Sequence, residues 1–213
     1  MIFKRLLGFG GMAGPAVFAS VVIAAAMLRS NYSHLTSFIS ELGASGSPHA
    51  ALMNYGGFIG GGLLFVLFAV ALALSLPRRP LVVLGSGLVT AFGLSLVASG
   101  AFPCDPGCPF PGGTIENQIH NSIGHITNIS LIVATGIFGI AFGRIAAWRR
   151  FAKYSLLTSA CAAVFMTALV TSLDTRALTG LWQRLLLATF FLWCGVLGTA
   201  LYRGRGQAPP PSN

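Results

Sequence analysis

Charge is scarce in this chain of 213 residues: 8% of them are Asp, Glu, Lys or Arg, and only four are acidic. A soluble domain carries about 25% charged residues, so there is too little polar surface here to cover a globule in water. Two further absences matter. No loop between the apolar stretches is long enough to build a core of its own, which excludes an appended soluble domain. No span carries a metal signature of the His-Glu-x-x-His type, which removes the most direct pointer to a metallohydrolase.

What is present is hydrophobicity. Apolar residues make up 54% of the chain, and its mean hydropathy is +0.79. Six apolar runs of roughly 20 or more residues each suffice to cross a ~30 Å hydrocarbon core. They are Leu6–Leu28, Met53–Leu76, Leu81–Phe102, Ile119–Phe142, Tyr154–Leu173 and Leu181–Leu201. The expected fold is therefore all-α: one transmembrane domain of six helices over 1–203, with 204–213, containing Pro209-Pro210-Pro211, as a disordered cytoplasmic tail. Lys4 and Arg5 before an apolar stretch also suit a signal peptide, but the run continues through Leu28, beyond a ~7–15-residue signal core. An uncleaved first helix is the expectation.

Basic residues set the orientation. With the N-terminus inside, ten of the 13 Lys and Arg residues fall on cytoplasmic segments; Arg29, Arg176, Arg184 and all four acids fall outside. This predicts a multi-pass protein of a prokaryotic cytoplasmic (inner) membrane with both termini cytoplasmic. It also removes nucleic acid as the partner for a net charge of +9, since the cations sit in short loops and form no single patch. Membrane lipids are the expected partners, and the oligomeric state is open. Glycines four apart (Gly10/Gly14, Gly56/Gly60, Gly57/Gly61, Gly139/Gly143) predict close helix packing.

The outer face collects the polar chemistry. In the first outer loop Leu35, Phe38, Ile39 and Leu42 recur at helical spacing, predicting a short interfacial amphipathic helix capped by Ser33 and stopped by a left-handed Gly43. His34, Ser37 and Glu41 would share its polar face. Cys104 and Cys108 flank Asp105-Pro106-Gly107, a tight turn. An oxidising compartment favours a disulfide between them, with free thiols or soft metal ligands as alternatives. Cys161 and Cys194 lie within spans as small hydrophobes. The fourth span opens with Glu116, Asn117, His120, Asn121, His125 and Asn128. Polar groups at that depth should face the bundle interior or a water-filled cavity. Arg184, about one turn into the last span, calls for a carboxylate partner or snorkelling.

Several stretches occur in a familiar order: Ser40-Glu41-Leu42-Gly43, Met53-Asn54-Tyr55-Gly56-Gly57-Phe58, Phe102-Pro103-Cys104-Asp105, His120-Asn121 and Gly180-Leu181-Trp182-Gln183-Arg184. Together they resemble the prokaryotic integral membrane family catalogued as domain of unknown function 998. That resemblance implies six spans and no established activity. The Ser-Glu-Leu-Gly stretch is similar, more distantly, to a motif of DRAM and Sfk-type membrane proteins, which hints at lipids by analogy alone.

Three functions compete. The first is a non-catalytic membrane module binding lipid or a partner through a polar centre on the extracytoplasmic face. The second is a membrane hydrolase or transferase acting on a lipid or lipid-linked substrate, with Glu41, Asp105 and His120 as the catalytic centre. There the same three residues could hold a divalent metal such as zinc, which would activate water, while Arg184, His125 and Asn128 bind substrate. The third is a small transporter, weakened by the scarcity of polar groups in the cytoplasmic halves of the spans. Glu41, Asp105 and His120 are expected to converge, with Arg184 pairing one carboxylate; convergence within ligand distance would favour the enzyme, and dispersal over separate loops the non-catalytic module.

Overall fold

The computed structural model describes residues 2–204, with side chains from Leu6 onward, so all of the expected 204–213 tail but Gly204 lies outside the described residues. The helices are α1 (Ile2–Met27), α2 (Gly61–Ser75), α3 (Pro80–Ala101), α4 (Ile115–Gly143), α5 (Arg150–Thr171) and α6 (Thr179–Tyr202). A π-helical stretch, Leu52–Gly60, runs straight into α2. All six spans are long and apolar enough to cross a membrane, and no strand occurs among the described residues.

Each helix packs on its neighbours in sequence, and α6 returns to α1, so the six close into a ring with α6 also touching α2 and α4. One end of the bundle carries the turns around Pro77–Arg79 and Arg144–Arg149 together with the end of α6; it is called here the arginine end. The opposite, cysteine end carries the segments 28–51, 102–114 and 172–178. Small residues close the ring. A Cβ on Gly62 would lie 2.6 Å from the Gly93 carbonyl oxygen, and one on Gly198 would lie 2.9 Å from that of Gly8. Lipid tails are as apolar as leucine and so leave no hydrophobic force between helices, and such close backbone packing drives their association instead. The middle of the ring and its arginine end are filled by Phe65, Phe68, Phe92, Phe138, Phe142, Phe190, Trp148 and Trp193, all fully buried. The Trp193 indole donates to Ser155 Oγ at 2.8 Å, so the plug leaves no buried N–H unpaired there.

Two local expectations change. The amphipathic stretch of the 28–51 segment is no regular helix: Phe38 is extended (φ −63°, ψ 150°) and a 3₁₀ turn covers Ile39–Gly43. Ser33 does accept from the amides of Leu35 and Thr36, at 3.3 Å each. Phe38, Ile39 and Leu42 are buried in the bundle, while Leu35 stays exposed. Burying them against the ring outweighs the few hydrogen bonds of a short helix, whose nucleation is costly. Gly43 is not a left-handed stop: the turn ends on an extended Ala44, and the positive-φ glycine is Gly46 (φ +71°). Gly43 is needed because Asn54 donates to its carbonyl at 2.9 Å, and a Cβ would strike Asn54 Oδ1.

Candidate functional site

Two clamps knit the cysteine end. Arg176 ion-pairs with Glu41 at 3.6 Å, stacks over the Phe38 ring at 4.4 Å, and donates to the carbonyls of Gly107 (3.1 Å) and Cys108 (3.0 Å). It thereby joins all three segments of this end. Glu41 also accepts from the Phe38 amide at 2.9 Å, and its own carbonyl accepts from Arg29. Arg184, from α6, donates to the carbonyls of Ser37 (3.0 Å) and Gly180 (2.8 Å) and to the Tyr32 hydroxyl. Tyr32 in turn donates to the Phe38 carbonyl at 3.0 Å, and Gln183 accepts from the Ile39 amide at 2.8 Å. Burial raises the Tyr32 phenol pKa, against the opposing pull of Arg184. Burial, then Arg184, lowers that of His34.

Among the described residues the five non-glycine positions with left-handed backbone all lie at this end: Asn31, His49, Cys108, Arg176 and Leu178. Each such residue costs of order 1–3 kcal/mol and persists only where surroundings over-determine it. Arg176 constrains two of them, itself and Cys108, through its bond to the Cys108 carbonyl.

The 102–114 segment is organised by Asp105. Its carboxylate accepts from the Thr114 amide (2.7 Å) and hydroxyl (2.8 Å), and Thr114 Oγ1 caps α4 by accepting from Asn117 N. Asn117 is fully buried and donates to the carbonyls of Pro109 (2.9 Å) and Gly112 (2.7 Å). Cys104 and Cys108 are joined, with a Cα–Cα separation of 5.1 Å. His120 is buried, its Nδ1 2.7 Å from the Phe102 carbonyl that ends α3.

Beneath these loops lies a cleft of about 130 Å³. Its apolar walls include Phe18, Phe58, Leu96, Leu169 and Leu187, and its polar side carries His120, Asn121, His125 and Asn128 of α4. The exposed lining residues Phe110, His125 and Val170 belong to the 102–114 segment, α4 and α5. The cleft therefore opens sideways, between α4 and α5. The glycines of α4 explain why. A Cβ on Gly139 would lie 2.6 Å from Leu156 Cγ, and one on Gly136 3.0 Å from Ser159 Oγ, whereas one on Gly124 would meet nothing within 4 Å. The two helices touch toward the arginine end and part toward the cysteine end.

The expected shared centre is not reflected in the bonding. Glu41 belongs to Arg176 and the first loop, Asp105 to Thr114, and His120 to the end of α3. Among the described residues no group of three or more His, Cys, Asp or Glu is placed to hold a metal ion. Among the described residues Arg184 pairs with no carboxylate and Arg176 takes that role; Arg184 instead donates to the Ser37 and Gly180 carbonyls and the Tyr32 hydroxyl, leaving its Nε unpaired. Glu116 is exposed while His120 is buried. His120, His125 and Asn128 do meet along one side of the cleft. Tyr32 and Ser99 contribute to the clamps or the cleft, and nothing in their local spacing marks them beforehand.

Residues 12–200 match the family described as Protein of unknown function (DUF998), and the chain belongs to that family. No curated protein and no solved structure matches the chain.

Proposed function

We propose that this family member is a non-catalytic lipid-binding module, with the cysteine end on the extracytoplasmic face of a prokaryotic inner membrane. In this reading a lipid enters the cleft sideways between α4 and α5. The observation that carries it is Asn128. This half-buried amide faces the cleft and makes no hydrogen bond with any described residue. An unpaired amide in an apolar setting costs on the order of 1–3 kcal/mol, so a polar group of a ligand is its natural partner. His125, next to it on the cleft wall, also lacks a hydrogen bond.

Depth supports the same reading. At 29 residues, α4 is the longest helix, about 44 Å at 1.5 Å per residue. Counting back the ~20 residues that span the hydrocarbon from Gly143 reaches Gly124. Gly124 and His125 then sit at the boundary between headgroup and acyl region, and Asn128 about one turn inside it. Ester carbonyls or an amide of a lipid lie at that level. A cavity of ~150 Å³ holds a benzene-sized molecule, so the cleft takes a segment of one chain while the rest stays in the bilayer.

The hydrolase and transferase alternatives would need Glu41, Asp105 and His120 released from their structural partners. The transporter alternative would need a path through the aromatic plug below the cleft. Both are less economical than binding. The test exploits the open space at Gly124. Gly124→Phe should fill the cleft without a clash and strip co-purifying lipid, read by native mass spectrometry. Gly87→Phe, on an exposed face of α3 with equal free space, is the control. Equal lipid retention in both variants would refute the proposal.

A further inference from the structure

At the arginine end a second, separate groove runs along α6 and the start of α5. It is lined by Arg150, Phe151, Leu192, Gly195, Val196 and Arg203, among others, and encloses about 580 Å³. We infer that this groove binds an anionic phospholipid, with one acyl chain along α6 and its phosphate held by Arg150 and Arg203.

Charge, shape and length argue together. Arg150 stacks over the Phe151 ring at 4.6 Å, and neither it nor Arg203 forms an ion pair or side-chain hydrogen bond among the described residues. No carboxylate side chain can neutralise them, since Glu41, Asp105, Glu116 and Asp174 all lie at the cysteine end. Two guanidinium groups flanking an apolar groove at the membrane boundary match a phosphodiester, which accepts their N–H donors as a carboxylate would. The groove floor is open: a Cβ on Gly195 would meet nothing within 4 Å. Leu192 and Val196, the two exposed apolar members on α6, lie one turn apart and continue the groove away from Arg203. From Phe191 to Arg203 the helix rises about 18 Å, close to the ~15 Å of hydrocarbon in one leaflet.

The site is independent of the cleft at the other end and needs only that the helices span a bilayer. The full chain in mild detergent is titrated with equimolar phosphatidylglycerol and phosphatidylcholine, and bound lipid is counted by native mass spectrometry. Wild type should retain phosphatidylglycerol preferentially, less so at high salt, because the Arg–phosphate attraction is screened. Near an anionic surface each arginine is worth about fivefold in affinity, so Arg150→Gln with Arg203→Gln should weaken phosphatidylglycerol roughly 10- to 30-fold. Gly195→Phe should displace the chain and lower retention of phosphatidylglycerol, while Gly124→Phe should leave that preference intact. Unchanged phosphatidylglycerol retention in both the arginine double variant and Gly195→Phe would overturn the site. So would full displacement of the lipid by inorganic phosphate, which would mean that a free anion suffices.

Discussion

Replacing Arg184 by methionine should loosen the 28–51 segment without unfolding the ring. The guanidinium makes two bonds across segments, to the Ser37 carbonyl and the Tyr32 hydroxyl, besides one to Gly180 within α6. Hydrogen bonds to charged groups contribute about 1.5–3 kcal/mol each, so the two cross-segment bonds are worth about 3–6 kcal/mol. Against this stands the relief of removing a half-buried cation that has no carboxylate partner and whose Nε makes no hydrogen bond. Such desolvation costs several kcal/mol when unrelieved and less when carbonyls surround the charge. The net expectation is a local loss of about 2–3 kcal/mol, roughly a 30- to 150-fold rise in opening of the segment around Ser37–Leu42. Hydrogen exchange by mass spectrometry on peptides covering 33–43 and 180–190 reads this directly. Arg184→Lys separates geometry from charge, since an ammonium cannot reproduce the planar fork. It should open the loop nearly as much. Unchanged exchange at 33–43 in both variants would show that the guanidinium does not hold the loop.

Asp105→Ala should release Thr114 and uncap α4, costing about 1–3 kcal/mol and speeding exchange across 105–118, with little effect on α1 or α6. Asn128→Leu should lower lipid retention yet leave thermal stability equal or higher, because it removes an amide with no protein partner; a fall in stability would mean the amide is structural. The Tyr32 phenol has its folded pKa raised by burial. Its stabilisation is therefore full below the unfolded value near 10 and is lost as pH rises through the folded value. In a spectrophotometric tyrosine titration, Tyr32→Phe should delete a phase lying above pH 10, and an undiminished phase would contradict that placement.

The six spans were legible because lipid demands long apolar helices, and composition states that demand openly. Their ends were less so. Expected to begin at Ile119, α4 begins at Ile115, because Thr114 caps a polar first turn that a hydropathy reading discards. Of the four residues that helical periodicity grouped in the first loop, Phe38, Ile39 and Leu42 are buried and Leu35 is exposed, because an extended Phe38 and a 3₁₀ turn replace the regular helix. Pairing failed for a different reason. Arg176 and Arg184 are both cations near the same end, and which meets Glu41 depends on how α6 enters the ring, a contact across more than a hundred residues. The joined Cys104 and Cys108 needed only four residues of local chain, and local chain sufficed. The cleft itself was half visible: the stripe Asn121, His125, Asn128 announced a polar face, while its apolar wall comes from α1, α3, α5 and α6.

The central claim is that a lipid occupies the cleft between α4 and α5. It is tested most directly by photocrosslinking from position 124, with a photoreactive side chain replacing Gly124 in the native membrane. The account expects a lipid adduct at that position, diminished when Asn128→Leu is added, and none from the same side chain placed at Gly136, where the helices touch. A reagent at 124 that captures only water or neighbouring protein, with no lipid adduct, would contradict it.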